Sequence, residues 1–149
     1  MLSYPGSLST FASGINHGAT SKSEIVGVVG SQGFLANVSE KKSTTETYQA
    51  VNYHVATFVN PIDINDSGQI VGVYVDKSNV SHGFERSSGK FSTIAVPFAG
   101  ATNTIPFAIN ESGEIVGGWT DNSGATHGFT LIGGTYASFD YPGANLHSG

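Results

Sequence analysis

The chain is predicted to be all-β, built of three four-stranded antiparallel repeats of about 45 residues of the β-propeller-blade type. Three observations lead there. The first is a phrase, Ile109-Asn110-Glu111-Ser112-Gly113-Glu114-Ile115-Val116-Gly117, that spells a strand end, a tight turn and a strand start, and that recurs almost letter for letter from Ile64 to Gly72. A third copy joins Ile15-Asn16 to Glu24-Ile25-Val26-Gly27 through a turn with four extra residues, and the Val-Gly pairs at 26/27, 71/72 and 116/117 are spaced 45 apart. The second is composition: 20 glycines with 11% aromatic and 11% charged residues suit short strands joined by many turns, and an apolar share of 38% is too high for a disordered chain. The third is that the second strand of the second unit, and similarly that of the first, is apolar on both faces.

The 149 residues suffice for one repeat domain, with units at about 7–51, 52–96 and 97–141 and a short C-terminal overhang. In the first unit the sequence predicts a long turn from His17 to Ser23, a shortened hairpin around Gly30 and a polar excursion from Ser39 to Thr45, the expected mobile loop. The second unit has turns at Asn65 to Gly68, Lys77 to Asn79 and Ser87-Ser88-Gly89. The third is the cleanest. Its strands are expected at Ala101 to Ile109, Glu114 to Asp121, Thr126 to Ile132 and Thr135 to Tyr141, with Gly133-Gly134 a two-residue hairpin signal between the last two.

Along Ile70 to Val75 the side chains of Ile70, Gly72 and Tyr74 share one face and those of Val71, Val73 and Val75 the other, and Ile25 to Val29 reads similarly. Such a strand must be covered on both sides, which neighbouring sheets of its own kind would do. Gly72 and Gly117, on the same face as Tyr74 and Trp119, are expected to be packing positions where an aromatic ring or a neighbouring backbone lies close. The rival architecture is a β-trefoil, also three four-stranded repeats, which would close as a monomer.

The pattern Ile-Asn-x-Ser-Gly-x-Ile-Val-Gly, followed by His82-Gly83-Phe84 and His127-Gly128-Phe129, resembles the bacterial extracellular HAF repeat, named for a His-Ala-Phe triplet in that place. Two units carry the resemblance well. The first keeps Gly33-Phe34 but has Gln32 where His would stand. The resemblance implies β-rich repeats in a secreted or cell-surface protein and attaches no activity to them.

Six basic residues against eleven acidic ones give a net charge of −5 with no basic cluster beyond Lys41-Lys42, which argues against nucleic acid as a partner. Cysteine is absent, so there are neither disulfides nor thiolate metal sites. No apolar run reaches the roughly 18 residues of a membrane span. The start, Met1 to Gly6, lacks the basic and apolar regions of a signal peptide, so the expectation is a mature portion with an added Met, another export route, or a protein that stays inside.

His82 and His127 occupy equivalent places and in a closed ring could converge on zinc or copper. Asp76 and Asp121 recur just across the hairpin, however, and the first unit lacks both partners together, with Gly30 and Gln32 there. Joint loss fits an Asp and a His that serve each other, a structural role. The turns at Asn65-Asp66-Ser67-Gly68, Asp76 to Asn79 and Asp121 to Gly124 superficially resemble calcium loops but lack the alternating oxygen ligands closed by a bidentate Glu, and Asx-turns explain them. No nucleophile motif or phosphate cradle is present. Trp119, Tyr74 and Tyr53 are the candidate ligand-binding rings, each amphipathic in a chain rich in Asn, Ser and Thr.

The function expected is a non-catalytic extracellular binding or assembly module, with glycans as the candidate ligand and no cofactor. The alternative is a metal-assisted, propeller-type enzyme acting on polysaccharide through His82 and His127. Three blades are too few to close a ring, so a homo-oligomer through blade-to-blade contacts is expected, with Ala144 to Gly149 reaching toward the next subunit.

Overall fold

The computed structural model describes residues 6, 9–17, 22–39 and 44–140. Within them the chain forms twelve strands and no helix. The first sheet holds β1 (Phe11–Ile15), β2 (Lys22–Val29), β3 (Gln32–Ser39) and β4 (Thr44–Val51). The second holds β5 (Ala56–Ile64), β6 (Ile70–Asp76), β7 (Ser81–Ser87) and β8 (Lys90–Ile94). The third holds β9 (Asn103–Ile109), β10 (Ile115–Thr120), β11 (Thr126–Ile132) and β12 (Thr135–Phe139). Each sheet is an antiparallel meander in which every strand pairs with its neighbour in sequence. Three separate sheets are not a β-trefoil, whose strands share one barrel, so that rival fails. The expected excursion from Ser39 to Thr45 falls largely on residues 40–43, and the expected C-terminal overhang on 141–149, both outside the described residues.

The repeated turn explains itself atom by atom. Asn16, Asn65 and Asn110 each accept, at Oδ1, the N–H of the residue that resumes the strand, at 2.8 Å from Glu24, 2.9 Å from Gln69 and 2.9 Å from Glu114. Each Nδ2 donates back to that residue's side chain, at 2.9, 2.7 and 2.6 Å respectively. Gly68 and Gly113 close the two short turns at φ of 75° and 77°, a left-handed geometry that other residues adopt only with strain.

The same asparagines tie the units together. Asn16 Nδ2 also donates to the carbonyl of Asn65 at 2.8 Å, and Asn65 Nδ2 to that of Asn110 at 2.9 Å. Beside this amide ladder runs a carboxylate one, in which the His17 N–H donates to Asp66 Oδ1 at 2.6 Å and the Asp66 N–H donates to the Glu111 carboxylate at 2.9 Å. Further along, the Ser13 hydroxyl donates to the Pro61 carbonyl at 2.6 Å and the Ile109 N–H to Asp63 Oδ2 at 2.9 Å.

Two cores fill the spaces between sheets. Val26, Leu35 and Val51 of the first sheet meet Val59, Ile64, Ile70, Tyr74 and Phe84 of the second. Val71 and Ile94 of the second sheet, with Val96 just beyond β8, meet Ile109, Ile115, Trp119 and Phe129 of the third. Ile70 and Val71, adjacent on β6, therefore serve opposite cores, as alternation along a strand requires. The second sheet is covered on both faces, whereas no third core joins the third sheet back to the first among the described residues.

Glycines fit the sheets to each other and to themselves. A Cβ on Gly33 would come within 2.9 Å of the Pro61 ring, and one on Gly83 within 2.9 Å of Pro106. The opening strand of each later sheet thus lodges a fully buried proline against a glycine of the preceding sheet. Both prolines lie on strands at a sheet edge, where a missing N–H costs no ladder bond. Gly72 and Gly117 are crowded from within their own sheets. Their Cβ atoms would fall on the carbonyl oxygens of Asn60 and Ile105, one strand over in the same sheet, and on the rings of Phe84 and Phe129. Register shifts between Pro61 and Asp63 and between Val116 and Gly117 bring those backbones close, so the constraint is an in-sheet bulge and not the neighbouring sheet.

Candidate functional site

The turn between β6 and β7 is closed by Asp76, whose Oδ1 accepts the N–H groups of Ser78 at 2.8 Å and Val80 at 2.9 Å. Its other oxygen, Oδ2, lies 3.0 Å from His82 Nε2. The Val80 N–H, and next the His82 ring, hold the Asp76 carboxyl below its usual range. The His82 imidazole stacks on Tyr74, with centroids 4.9 Å apart. Tyr74 is buried, and its hydroxyl is 3.1 Å from Thr93 Oγ1.

The turn between β10 and β11 repeats this plan with one addition. Asp121 Oδ1 accepts the Ser123 hydroxyl at 2.6 Å and the N–H groups of Ser123 and Ala125 at 2.8 and 3.0 Å, while Oδ2 lies 3.2 Å from His127 Nε2. The opposite ring nitrogen, Nδ1, is 2.8 Å from Asp140 Oδ1. Two carboxylates on one imidazole, Asp140 first and Asp121 second, push the His127 pKa up. The Ser123 hydroxyl, and after it His127, hold Asp121 far below the usual carboxylate range. His127 stacks on Trp119 at 4.4 Å, and the Trp119 indole N–H donates to the Ser138 hydroxyl at 3.0 Å. Ala95 stands at the place of Asp140 in the second unit, whereas the first has Asn52 there, whose Oδ1 accepts from Gln32 Nε2 at 2.9 Å.

Each carboxylate thus closes its own hairpin with backbone N–H groups and an imidazole. The carboxylates around His127 sit on opposite sides of its ring, and no cluster of three or more metal-type donors is assembled among the described residues. The described residues also contain no helix long and apolar enough to cross a membrane.

Of the three candidate ligand-binding rings, Trp119 and Tyr74 lie in the inter-sheet cores and present no open face. Tyr53 is half-buried. It stacks flat on Phe91 at 4.5 Å and lines a groove of about 500 Å³ with Gln32, Asn52, His54 and Thr57, at the junction of the first and second sheets. A second groove, of about 160 Å³, lies at the junction of the second and third, lined by Ser81, His82, Thr102, Asn103 and Thr104.

The two grooves occupy equivalent places. Ala56 to Val59 corresponds to Ala101 to Thr104, and Ser31-Gln32 to Ser81-His82. Asn103 stands where the first groove has Phe58. Its Oδ1 is buried without a hydrogen-bond partner, and is the one such side-chain atom among the described residues. Burying an unpaired carbonyl oxygen costs about 1–3 kcal/mol. Comparison of the chain with family profiles, curated proteins and solved structures finds no match.

Proposed function

We propose that this chain is a non-catalytic extracellular binding module built of propeller-type repeats, taking hydroxyl-rich ligands such as glycans in the grooves between successive sheets. The observation that carries this reading is the pair of equivalent, polar-lined grooves, one at each junction between successive sheets. The Asn103 amide of the second groove offers such a ligand both donor and acceptor chemistry. Around it stand further hydroxyls on Thr102 and Ser81, while the first groove offers the Tyr53 ring and the amides of Gln32 and Asn52. Small polar groups beside an aromatic face suit a sugar, which has hydroxyl edges and an apolar ring face. The placement outside the cell rests on the resemblance of the Ile-Asn-x-Ser-Gly phrase and the His-Gly-Phe triplets to the HAF repeat.

Titration of a panel of neutral and acidic oligosaccharides, followed by NMR of the side-chain amides, tests the reading. A bound sugar shifts the Asn103 amide resonances, and Asn103→Val abolishes that binding while leaving the protein folded. Absence of binding across the panel, or binding indifferent to Asn103→Val, would remove the proposal.

A further inference from the structure

We infer that the outer face of the third sheet is a docking surface for the first sheet of a second copy of this chain, joined head to tail. The two interfaces inside the molecule show what such a face receives. Val26 and Val71 are equivalent, both fully buried, each facing the following sheet. Their counterpart Val116 is 44% exposed. Ile94, 2% exposed against the third sheet, corresponds to Phe139, which is 55% exposed. Phe107 adds a third apolar side chain to this face, its ring lying over Gly118.

The opposite end shows the converse. Ile64 and Ile109 are nearly fully buried against the preceding sheet, whereas their counterpart Ile15 is 64% exposed. The chain thus carries a face that fits a following sheet and a face that fits a preceding one, and a heterologous, head-to-tail contact satisfies both.

The polar ladder continues the same interface. Asn16 and Asn65 each donate one amide hydrogen to the next unit's asparagine carbonyl. Asn110 holds the same turn geometry and is exposed, so its second amide hydrogen is placed for the Asn16 carbonyl of an incoming copy. The carboxylate ladder does not continue, because the incoming residue beside Asn16 is His17 and not an acid.

Size is compensated in the packing. Gly128 corresponds to Gly33 and Gly83, which receive prolines, but the Phe139 ring of its own sheet already lies within 2.6 Å of where its Cβ would be. The incoming strand offers Ala12 at the place of Pro61 and Pro106, a smaller residue opposite a larger ring. Such docking is independent of ligand binding in the grooves.

The test uses two variants, Val116→Glu and Ile15→Glu, at positions exposed in a single chain. The unaltered chain is expected to sediment at a multiple of 15.4 kDa, and each variant alone as one chain with unchanged circular dichroism. Mixing the two variants pairs the intact head of one with the intact tail of the other and restores a two-chain species. A single-chain mass for the unaltered protein at every concentration overturns the inference, as does failure of the variants to complement. Since the chain has no cysteine, mixed Ile15→Cys and Val116→Cys proteins provide a second reading. Oxidation gives a disulfide joining one of each if the contact is head to tail. Disulfides only between identical chains overturn it.

Discussion

The side-chain amide of Asn65 donates to the main-chain carbonyl of Asn110 at 2.9 Å, so that a turn residue of one repeat holds the turn of the next. The same side chain meets the backbone N–H and the side-chain oxygen of Gln69. Local turn and inter-repeat contact therefore depend on one nearly buried amide.

Replacing Asn65 with Ala is expected to cost roughly 2–4 kcal/mol, because three part-buried hydrogen bonds are lost from a side chain that is itself buried. Within a single chain, Asn110→Ala removes only bonds of its own exposed turn and should cost about 1 kcal/mol. Urea unfolding of both variants measures the difference, and equal losses would show that the inter-repeat bond adds no stability.

Gly72→Val and Gly117→Val should fall at the upper end of the roughly 1–3 kcal/mol range for overpacking. The obstacles are the main-chain carbonyls of Asn60 and Ile105, which cannot rotate aside as a side chain could. Melting temperatures equal to that of the parent would show that the bulges relax.

The pH dependence of the third hairpin follows from the carboxylates around His127. Its folded pKa is raised above 6.5, so its contribution to stability is complete below that value and is lost as pH rises through the folded pKa. Asp121 and Asp76 are lowered below 3.8, so their contributions are present above 3.8 and are lost as pH falls through the folded values. NMR titration should place the His127 midpoint above that of a free histidine, and Asp140→Asn should bring it down. An unchanged midpoint in that variant would show that Asp140 does not act on the ring.

Asp121→Asn and His127→Gln are expected to combine non-additively, since each removes the other's partner across a 3.2 Å contact. A double-mutant cycle in thermal unfolding measures the coupling, and strict additivity would mean that the contact contributes nothing to the fold.

How much of this was legible in the sequence depends on how local the cause is. The Ile-Asn-x-Ser-Gly phrase encodes its turn within a few residues, and the alternation at Ile70-Val71 encodes two covered faces, so three four-stranded sheets could be read directly. The lodging of Pro61 against Gly33 could not, because nothing near either residue names the other. Trp119 and Tyr74 read as amphipathic rings with polar tips, but Ser138 and Thr93 lie within hydrogen-bonding distance of those tips and the imidazoles stack on the rings, which lets both be buried. Asn103 stands where the second unit carries Phe58, and Asp140 where the second carries Ala95 and only the first a polar Asn52, so the 45-residue period singles out neither.

Because each strand pairs only with its neighbour in the chain, no sheet needs residues from another to complete its ladders. As the chain emerges during synthesis, each meander can assemble from short-range closures as soon as its own residues are available, which favours rapid folding. What makes the units melt together is the contact between sheets, so cooperativity is transmitted from neighbour to neighbour. The middle sheet shares in both contacts, and amide protons on β6 should be the slowest in the chain to exchange with solvent.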